Sequence, residues 1–382
     1  MNEDEELLEN PAEEPVDEAM EEPTEETGEE IPEKPEKSRK KRRVWKIIAI
    51  VFGSLFLLLL IAALVMFMII NSKISKISRV EITGNPNLSE DEIYQEPTVD
   101  KPDSVEQINY AQLEWQEAQK IPIDNSQGVE NILIIGSDRR SNTENGRSDT
   151  IILLSINYDT KKIHTTSFMR AMYVCIPRAD GRVWGMINAA YSWGGPNLLI
   201  DTIELNFRVD IDHYIVVDFA AFQKAVDLVG GIDVELSEEE VGRIFQKSDT
   251  KPPAGLVHLN GELALKYARI RYIDNDFKRT ARQRIVINKV IAKAKNSDIN
   301  TLMKLADEIL PLVSTDIQDN GTIWKYLIKT LPFMGNTTKG RMLPIENESG
   351  ETYTGIIYVN GHEMYKVNFA ENIKALQQYI HS

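Results

Sequence analysis

The feature that most constrains this chain is an uncharged apolar run from Ile47 to Ile70. Its 24 residues would form a helix of about 36 Å, and the hydrocarbon core of a bilayer is about 30 Å thick. The run is too long for a buried core helix or for the apolar part of a signal peptide, and no small-residue cleavage site follows it. We therefore predict one transmembrane helix over residues 47–70.

The charges on either side of this run predict its orientation. The segment Lys37–Lys46, which we call the basic collar, holds seven Lys and Arg and no acidic residue. On the other side only Lys73, Lys76 and Arg79 are scattered. Because basic residues stay preferentially in the cytoplasm, we expect a single-pass cell-membrane protein. Its N-terminus should be cytoplasmic, and everything after Asn71 should be extracellular.

The formal net charge of −16 is concentrated in residues 1–36, which hold seventeen Asp and Glu and one Lys. This segment is rich in Glu and Pro and poor in aromatic residues, so it cannot bury enough apolar surface to fold. We predict a disordered acidic cytoplasmic tail. The rest of the chain is neutral by formal count, which excludes a globally basic nucleic-acid binder. One Cys in the whole sequence excludes a disulfide-stabilised miniprotein.

Beyond the membrane span, composition divides the chain again. Residues 71–128 are polar and contain several Pro, with one weakly helical patch, and we predict an extracellular stalk or linker. From Val129, the apolar runs Asn131–Ile135 and Thr150–Ile156 predict strands buried on both faces. Further strands are predicted at 215–217, 232–236 and 355–359, and helices at 196–207, 219–229, from 277 onward and at 369–380. This alternation predicts one layered α/β domain over residues 129–382.

Common catalytic motifs are absent from the sequence. It has no HExxH, no GxSxG, no Walker A loop and no paired CxxC, and its five His form no cluster with metal-ligand spacing. A zinc or serine hydrolase is therefore disfavoured. We interpret Cys175, which lies in an apolar stretch, as a packed residue and not as a nucleophile.

Arg and Asp residues instead lie where predicted strands begin and end. Asp138 follows the first outer strand, Asp149 precedes the second and Arg170 follows the third, and such loops are where α/β sheets bind ligands. Several Arg favour a multiply charged anion such as pyrophosphate, because guanidinium groups bind phosphate oxygens in pairs. Two Asp on neighbouring strand ends could hold Mg²⁺. Each residue taken alone fits a surface ion pair or a turn better, and only the set as a whole makes phosphate binding a hypothesis.

Two spacings refine this hypothesis. Arg269 and Arg271 are two residues apart, so they face the same way only if the backbone is extended there. Arg279 and Gln283 are four residues apart and share one face of the predicted helix. Asp276 precedes that helix and could be its N-cap.

Six stretches of the chain resemble the LytR-CpsA-Psr family of Gram-positive cell envelopes. In chain order they are NILIIGSD (131–138), RSDT (147–150), INAAYSWGG (187–195), VVDFAAFQKAVDLVGG (216–231), LNGELALKYARIR (259–271) and DFKRTARQ (276–283). The resemblance implies an α-β-α sandwich with an apolar pocket for a prenyl chain. It also implies a transferase that moves a glycopolymer, such as teichoic acid or capsule, from a polyprenyl-pyrophosphate carrier onto peptidoglycan through a phosphodiester.

The same resemblance implies roles for single residues. Asp138 and Asp149 match ligands of Mg²⁺ or Mn²⁺. Asp276 matches a carboxylate proposed to deprotonate the acceptor hydroxyl, and we assign it to catalysis together with Arg279, which matches a pyrophosphate contact. The residues assigned to pyrophosphate binding are Arg147, Arg170, Arg269, Arg271, Arg282 and Gln283. The expected partners are the lipid-linked glycan, peptidoglycan and the membrane, with no nucleic acid.

Two positions depart from the family pattern. Ala171 stands where the family usually has Asp after Arg, and Met186 stands where it has a basic residue. Two interpretations follow: an active ligase with an altered donor preference, or a non-catalytic paralogue that binds polyprenyl pyrophosphate or the cell wall. Hydrolysis of the carrier, with water as acceptor, is a chemically adjacent alternative. Arg178 and Arg182 are candidates to replace the lost cation.

Overall fold

The structure is a computed structural model. It describes residues 37–79, 81–94, 98–125, 127–138, 146–248, 250–270, 273, 276–333, 336–345 and 355–382, with side chains from Phe56 onward except those of Asp91, Asp276 and Leu331. The chain divides into two compact units, Met1–Leu64 and Val65–Ser382. The predicted acidic tail over residues 1–36 lies outside the described residues.

The predicted transmembrane segment lies in one long helix, α1 (Lys37–Ile74). The helix contains the basic collar and the whole apolar run. Its part Phe56–Ile74, 19 residues, is long and apolar enough to cross a membrane. The large apolar side chains of this part, such as Phe56 and Leu58, are mostly exposed, whereas a core helix would bury them. The helix therefore fits a single-pass membrane anchor.

The remaining helices and strands follow in mixed order. The helices are α2 (Glu90–Tyr94), α3 (Val105–Ala118), α4 (Ile187–Phe207), α5 (Phe219–Leu228), α6 (Glu238–Ile244), α7 (Gly261–Ala268), α8 (Asp276–Lys295), α9 (Ile299–Ile309), α10 (Asn320–Thr330) and α11 (Phe369–Ile380). The strands are β1 (Val129–Ser137), β2 (Ser148–Asn157), β3 (Lys162–Phe168), β4 (Tyr173–Arg178), β5 (Gly181–Met186), β6 (His213–Asp218), β7 (Ile232–Leu236), β8 (Gly255–Leu259), β9 (Val313–Thr315), β10 (Arg341–Leu343), β11 (Ile356–Val359) and β12 (His362–Tyr365).

A six-stranded mixed sheet with the order β10-β3-β2-β1-β6-β9 forms the centre of the second unit. Strand β1 pairs antiparallel with β2 and parallel with β6. Strands β1 and β2 are buried along most of their length, on both faces. The apolar runs predicted this, because a strand covered on both sides does not alternate between apolar and polar residues.

Helices cover both faces of the sheet. On one face, Leu133 and Ile151 belong to the main apolar cluster, to which α3, α4 and α11 also contribute. On the other face, Ile132 and Ile156 pack with Phe333, which lies just after α10. The layered α-β-α arrangement is therefore confirmed.

A second apolar cluster lies outside the main sheet. It joins the two-stranded sheet β7–β8 to α5, α6, α7 and α8, and Val226, Ile232, Leu259, Tyr267 and Val286 are among its buried members. This cluster anchors α7, which ends at the predicted site residue Arg269, and α8, which carries Arg279 and Arg282.

The segment 71–128 does not form the separate stalk that its composition predicted. Tyr94 and Trp115 are buried in the same apolar cluster as the sheet residue Leu133. The Tyr94 hydroxyl accepts a hydrogen bond of 3.2 Å from the backbone N–H of Met186. Burying two large aromatic side chains is strongly favourable and outweighs the local preference of a Pro-containing segment for an extended linker. The described part of this segment therefore belongs to the folded body.

Helix α4 is kinked where the segment near Ile82 crosses it. Gly195 has φ 67° and ψ −158°, a conformation that side chains strongly disfavour. A Cβ atom on Gly195 would lie 2.2 Å from the backbone oxygen of Ile82, and one on Gly84 would lie 2.3 Å from the backbone nitrogen of Gly194. Gly195, the last residue of the INAAYSWGG stretch, and Gly84 are thus required by a close crossing of two chain segments.

We predict that Gly195→Ala lowers the free energy of unfolding by about 3 kcal/mol, because it adds backbone strain to a steric overlap. Denaturant unfolding of the detergent-solubilised chain, followed by tryptophan fluorescence, measures the change. The matched control is Gly242→Ala in α6, where a Cβ meets nothing within 4 Å and helix propensity predicts a gain of about 1 kcal/mol. Equal effects of the two substitutions would contradict the explanation.

Strands β6 and β9 are joined at one end by a side-chain ion pair. Nδ1 of His213 lies 2.9 Å from Oδ2 of Asp316, and Oδ1 of Asp316 accepts the backbone N–H of Tyr214 at 2.9 Å. The hydrogen bond to Asp316 is the main cause of a raised pKa of His213. The protonated imidazole therefore stabilises the folded state.

This raised pKa predicts a pH dependence of stability. The contribution of His213 is fully present below its unfolded-state pKa of about 6.5 and is lost as pH rises through the folded-state pKa. Asp316→Asn should therefore destabilise the protein more at about pH 6 than at about pH 9. Denaturant unfolding of both proteins at the two pH values measures this, and a pH-independent difference would contradict it.

Candidate active site

A β-bulge shapes the end of the sheet where β1 ends and β2 begins. Gly136 pairs with Thr150 and Ser137 pairs with Ser148, so Asp149 is the extra residue of the bulge. A Cβ on Gly136 would lie 2.9 Å from Cβ of Thr150, so this tight pairing requires glycine. Bulges re-aim a side chain, and the one here takes Asp149 out of the ladder.

Asp149 lies at the centre of an arginine cluster. Nη2 of Arg279 is 3.0 Å and Nη1 of Arg170 is 3.8 Å from its Oδ1, and Nε of Arg269 is 3.9 Å from its Oδ2. The side chains of Asp149 and Arg279 are 1% and 3% exposed. Each guanidinium group carries five N–H donors, so the cluster is a donor-rich arrangement of the kind that binds phosphate oxygens. The sequence-predicted residues Asp149, Arg170, Arg269 and Arg279 are thus brought together.

Four parts of the fold hold this cluster in place. Arg170 lies between β3 and β4, and its backbone oxygen accepts the N–H of Asn188, at the start of α4, at 3.3 Å. Arg269 caps the C-terminus of α7 and lies over the ring of Phe219 at 4.7 Å. Gln283 donates from Nε2 to the backbone oxygen of Asp149 at 3.2 Å. Arg279 and Gln283 both contact Asp149, so they share one face of α8, as their spacing predicted.

The side chain of Arg269 marks the open side of the cluster. It is 41% exposed, whereas those of Arg170 and Arg279 are 9% and 3% exposed. A ligand that approaches the buried guanidinium groups from solvent would therefore meet Arg269 first.

Asp138 and Arg147 form a pair of their own beside the bulge. Nη2 of Arg147 lies 2.8 Å and its Nε 3.2 Å from Oδ2 of Asp138, and the backbone N–H of Arg147 donates to Oδ1. The side chains of Arg147 and Asp138 are 16% and 17% exposed. Arg147, which was predicted to contact pyrophosphate, thus pairs in this structure with Asp138, which was predicted to bind the metal ion.

The carboxylates of Asp138 and Asp149 could supply only part of a metal site. Among the described residues, no group of three or more His, Cys, Asp or Glu side chains could hold a metal ion. Mg²⁺ commonly takes one or two carboxylates and completes its octahedron with water and substrate phosphates. The donor set fits that pattern if a phosphate ligand supplies the remaining oxygens.

These features can be set against known proteins. Residues 88–376 match the model of the LytR_cpsA_psr family. The chain belongs to the LytR-CpsA-Psr family. The resemblance in its six sequence stretches is thereby confirmed.

Several relatives have names that describe an activity. Over 248 residues the chain is 35% identical to the polyisoprenyl-teichoic acid–peptidoglycan teichoic acid transferase TagU of Oceanobacillus iheyensis, which covers 62% of this chain and 73% of that protein. Over 206 residues it is 35% identical to the TagU of Bacillus cereus, with 53% of this chain and 64% of that protein covered. The match thus spans less than two thirds of the Bacillus cereus protein. These similarities support a transferase of the LytR-CpsA-Psr family.

Solved structures agree on the fold. The crystal structure of Bacillus subtilis TagV superimposes with a TM-score of 0.51 at 27% identity, over 67% of this chain and 98% of that one. A protein of Streptococcus agalactiae, gbs0355, superimposes with a TM-score of 0.53 at 26% identity, over 66% and 86% of the two chains.

Arg282 differs from the other arginines of this family member. Its Nε donates to Oε1 of Glu240 at 2.7 Å, and its side chain is 5% exposed. Glu240 also forms the capping box of α6 with Ser237. The contact ties α8 to α6, which suits a positioning residue better than the predicted pyrophosphate contact. The S-x-x-E pattern from Ser237 to Glu240 is a local signal of a helix start, but it carries no information on the arginine partner of Glu240.

Two predicted site residues cannot be placed. Arg271 lies outside the described residues, and of Asp276 only the backbone is described, as the first residue of α8. The extended backbone that would align Arg269 with Arg271 does not occur at Arg269. Helix α7 continues to Ala268, and Arg269 caps it with φ −106° and ψ 6°.

The two departures from the LytR-CpsA-Psr pattern both lie in the main apolar cluster. Ala171 and Met186 are 5% and 1% exposed. Neither Arg178 nor Arg182 supplies the cation that is missing at Met186. Arg178 pairs with Asp180 and lies over the ring of Trp193, and Arg182 lies over the ring of Trp115. Arg170 instead faces the carboxylate of Asp149.

Phe219 and Asn188 are further residues at the site to which the sequence analysis gave no role. Phe219 packs under Arg269, and Asn188 holds the backbone of Arg170. Both lie inside stretches that resemble the family, and this was the sequence signal that could have indicated a place at the site.

A cavity of about 300 Å³ lies at the opposite end of β1. Asp124, Glu130, Asp210 and Asp212 line it together with polar groups. Like charges would repel a pyrophosphate there, and an acidic lining does not suit a prenyl chain. The prenyl pocket implied by the family resemblance stays a prediction.

We predict that Asp149→Asn lowers the free energy of unfolding by about 3 kcal/mol, because it removes the carboxylate that buried guanidinium groups share. Denaturant unfolding measures the change. The control is Asp180→Asn, which removes an exposed carboxylate from Arg178 and should have little effect. Equal losses for the two variants would show that Asp149 does not compensate buried charge.

Proposed function

We propose that this protein is a membrane-anchored phosphotransferase that attaches a glycopolymer, such as teichoic acid or capsule, to peptidoglycan. The donor is a polyprenyl-pyrophosphate carrier. The observation that carries the proposal is the cluster of Arg170, Arg269 and Arg279 around Asp149 at the end of the sheet. The names of the TagU relatives support it, since those proteins are described as teichoic acid transferases acting between a polyisoprenyl-linked donor and peptidoglycan.

The proposed reaction is a displacement at the phosphorus that carries the glycan. An acceptor hydroxyl of peptidoglycan attacks this phosphorus and forms a new P–O bond, and the bond to the oxygen bridging the two phosphorus atoms breaks. Polyprenyl monophosphate leaves, and the glycopolymer and peptidoglycan are now joined by a phosphodiester. Asp276 is the proposed general base that takes the hydroxyl proton.

The arginine cluster would stabilise the charge that moves during this step. Negative charge builds up on the leaving phosphate, and fixed guanidinium groups stabilise it without reorganising. Arg279 and Arg170 are held by the shared carboxylate, and Arg269 lies on the open side. Arg147, Arg271 and Gln283 are proposed to add contacts, with Arg282 positioning α8 through Glu240.

We also propose that Asp138 and Asp149 bind Mg²⁺ or Mn²⁺ when the pyrophosphate is present. The ion would neutralise phosphate charge. Arg147 would then release Asp138, which it contacts in this structure, and become available to the donor.

The proposed topology places the N-terminus in the cytoplasm and the body outside the cell. The basic collar before the apolar run supports this orientation. Peptidoglycan, the proposed acceptor, is then on the same side as the arginine cluster.

A second candidate function is binding without turnover. It is motivated by Ala171 and Met186, which supply neither the carboxylate nor the cation of the family pattern. Two observations favour catalysis over it. Asp149 already contacts the guanidinium group of Arg170, and Met186 is packed in the apolar cluster.

The test is a transfer assay with the full chain, a short-prenyl pyrophosphate glycan, Mg²⁺ and peptidoglycan oligomers. We predict a phosphodiester-linked product. Arg279→Lys should lower its rate about a hundredfold, because lysine keeps the charge but loses the paired donors. The control is Arg178→Lys, whose guanidinium lies over Trp193, and it should retain activity.

The outcomes separate the candidates. Donor binding without product, while a known family transferase works in parallel, would support the binding function. Phosphate release without the acceptor would indicate hydrolysis. Absence of both product and donor binding would contradict the arginine cluster as the donor site.

A further inference from the structure

Helix α10 contacts the C-terminal part of α1. The rings of Trp324 and Phe67 are stacked, with centroids 5.0 Å apart and planes inclined by 29°. Nε1 of Trp324 donates to Oδ1 of Asn71 at 3.3 Å, and Nδ2 of Asn320 donates to the same oxygen at 3.1 Å. Ring stacking and hydrogen bonds thus join α10 to the last turns of α1.

The position of Phe67 in the apolar run indicates how deep in the membrane this contact would lie. Asn71 is the first polar residue after the run that ends at Ile70. Phe67 precedes it by one turn of helix, about 6 Å along the axis. A tryptophan that stacks on Phe67 and donates to Asn71 therefore lies where the span meets the headgroup layer. Tryptophan is enriched at this level of membrane proteins.

The stripe formed by Trp324, Leu327 and Ile328 continues along α10 from this contact. Their spacing of three and four residues places them on one face. Leu327 and Ile328 are 41% and 65% exposed. The core-facing side of the helix is a different one: Thr330 is buried, and the ring of Tyr326 lies 5.8 Å from that of His213.

Ionic contacts hold the end of α1 against the same part of the body. Nζ of Lys73 and of Lys76 both lie 2.6 Å from carboxylate oxygens of Asp307 in α9. Just beyond, Nε of Arg79 donates to the backbone oxygen of Ile317 at 3.0 Å. The residues that follow the apolar run are therefore bound to α9 and to the segment before α10. These contacts keep the exposed stripe beside the end of the span.

We infer that the stripe Trp324, Leu327 and Ile328 lies in the outer interfacial layer of the membrane that α1 crosses. The occupant of this apolar face is lipid, because the face is continuous with the end of the proposed span through Phe67 and Trp324. Lys325 and Lys329 lie on the neighbouring side of α10 and contact the body, since Nζ of Lys325 is 3.1 Å from Oε1 of Glu130 and Nζ of Lys329 lies 4.8 Å from the ring centroid of Tyr158. The body then rests on the membrane by α10 as well as being tethered to it by α1. This inference rests on the proposed membrane anchoring.

The test uses the full chain reconstituted in vesicles of phosphatidylcholine and phosphatidylglycerol. The native thiol is replaced by Cys175→Ala, and single cysteines carry an environment-sensitive fluorophore. Ile328→Cys reports on the stripe. The matched control is Leu256→Cys on β8, since Leu256 is an equally apolar residue that is 71% exposed. A third variant, Leu60→Cys in α1, reports on the span itself.

Lipids with a nitroxide on the acyl chain quench fluorophores that lie in the membrane. We expect blue-shifted emission and at least about twofold stronger quenching at position 328 than at position 256, because only the stripe enters the interface. Quenching at position 60 should be strong. Thermal unfolding of each variant checks that the label has not disrupted the fold.

Each other outcome overturns a defined statement. If position 60 is quenched and position 328 is not, the stripe does not touch lipid and only this inference fails. If position 60 is not quenched, the proposed anchoring fails as well. A blue shift at position 328 without nitroxide quenching, growing with protein density in the vesicle, would assign the stripe to a second copy of the chain and overturn the lipid contact.

Discussion

The contact between the Asp149 carboxylate and the guanidinium groups around it is the interaction on which the site depends. Asp149 and Arg279 are almost wholly buried, and a charge removed from water is tolerated only when a partner lies close to it. Asp149 comes from a strand bulge, and its partners come from a strand end, a helix C-terminus and a helix face. Misplacing any of these elements would leave a buried charge uncompensated, so the cost of a wrong arrangement is large.

Helix α8 links this charge network to the packing of the body. Gln283 holds the backbone of Asp149, Arg279 holds its carboxylate, and Arg282 reaches Glu240 of α6. Val286 of the same helix belongs to the second apolar cluster. One helix thus contacts the main sheet through polar groups and the smaller cluster through an apolar residue, which fixes its rotation about its own axis.

The sequence predicted the parts of the fold whose signals are local. Uninterrupted apolar runs indicated β1 and β2, the run 47–70 indicated the apolar part of α1, and apolar spacing indicated α11 at residues 369–380. The stalk interpretation was wrong because Tyr94 and Trp115 find their partners far along the chain. The pairing of Arg282 with Glu240 spans 42 residues, and that of Arg147 with Asp138 depends on the course of a loop. Residue types therefore located the site, whereas the partners of each charge were fixed only by tertiary contacts.

The crossing of the chain at Gly195 has a mechanical consequence. The segment that leads from α1 into the body passes over the glycine pair of α4, and it is fastened there by a bond from Asn85 N–H to the oxygen of Ser192 and another from Trp193 Nε1 to the oxygen of Leu88. At its start, α4 holds the backbone of Arg170. The crossing therefore joins the segment that follows α1 to the same helix that positions an arginine of the site. In the proposed anchored protein, a pull on α1 would first load the pairs of Lys73 and Lys76 with Asp307 and the hydrogen bonds of Ser78 to β9, and the crossing at α4 would be loaded only after these contacts gave way.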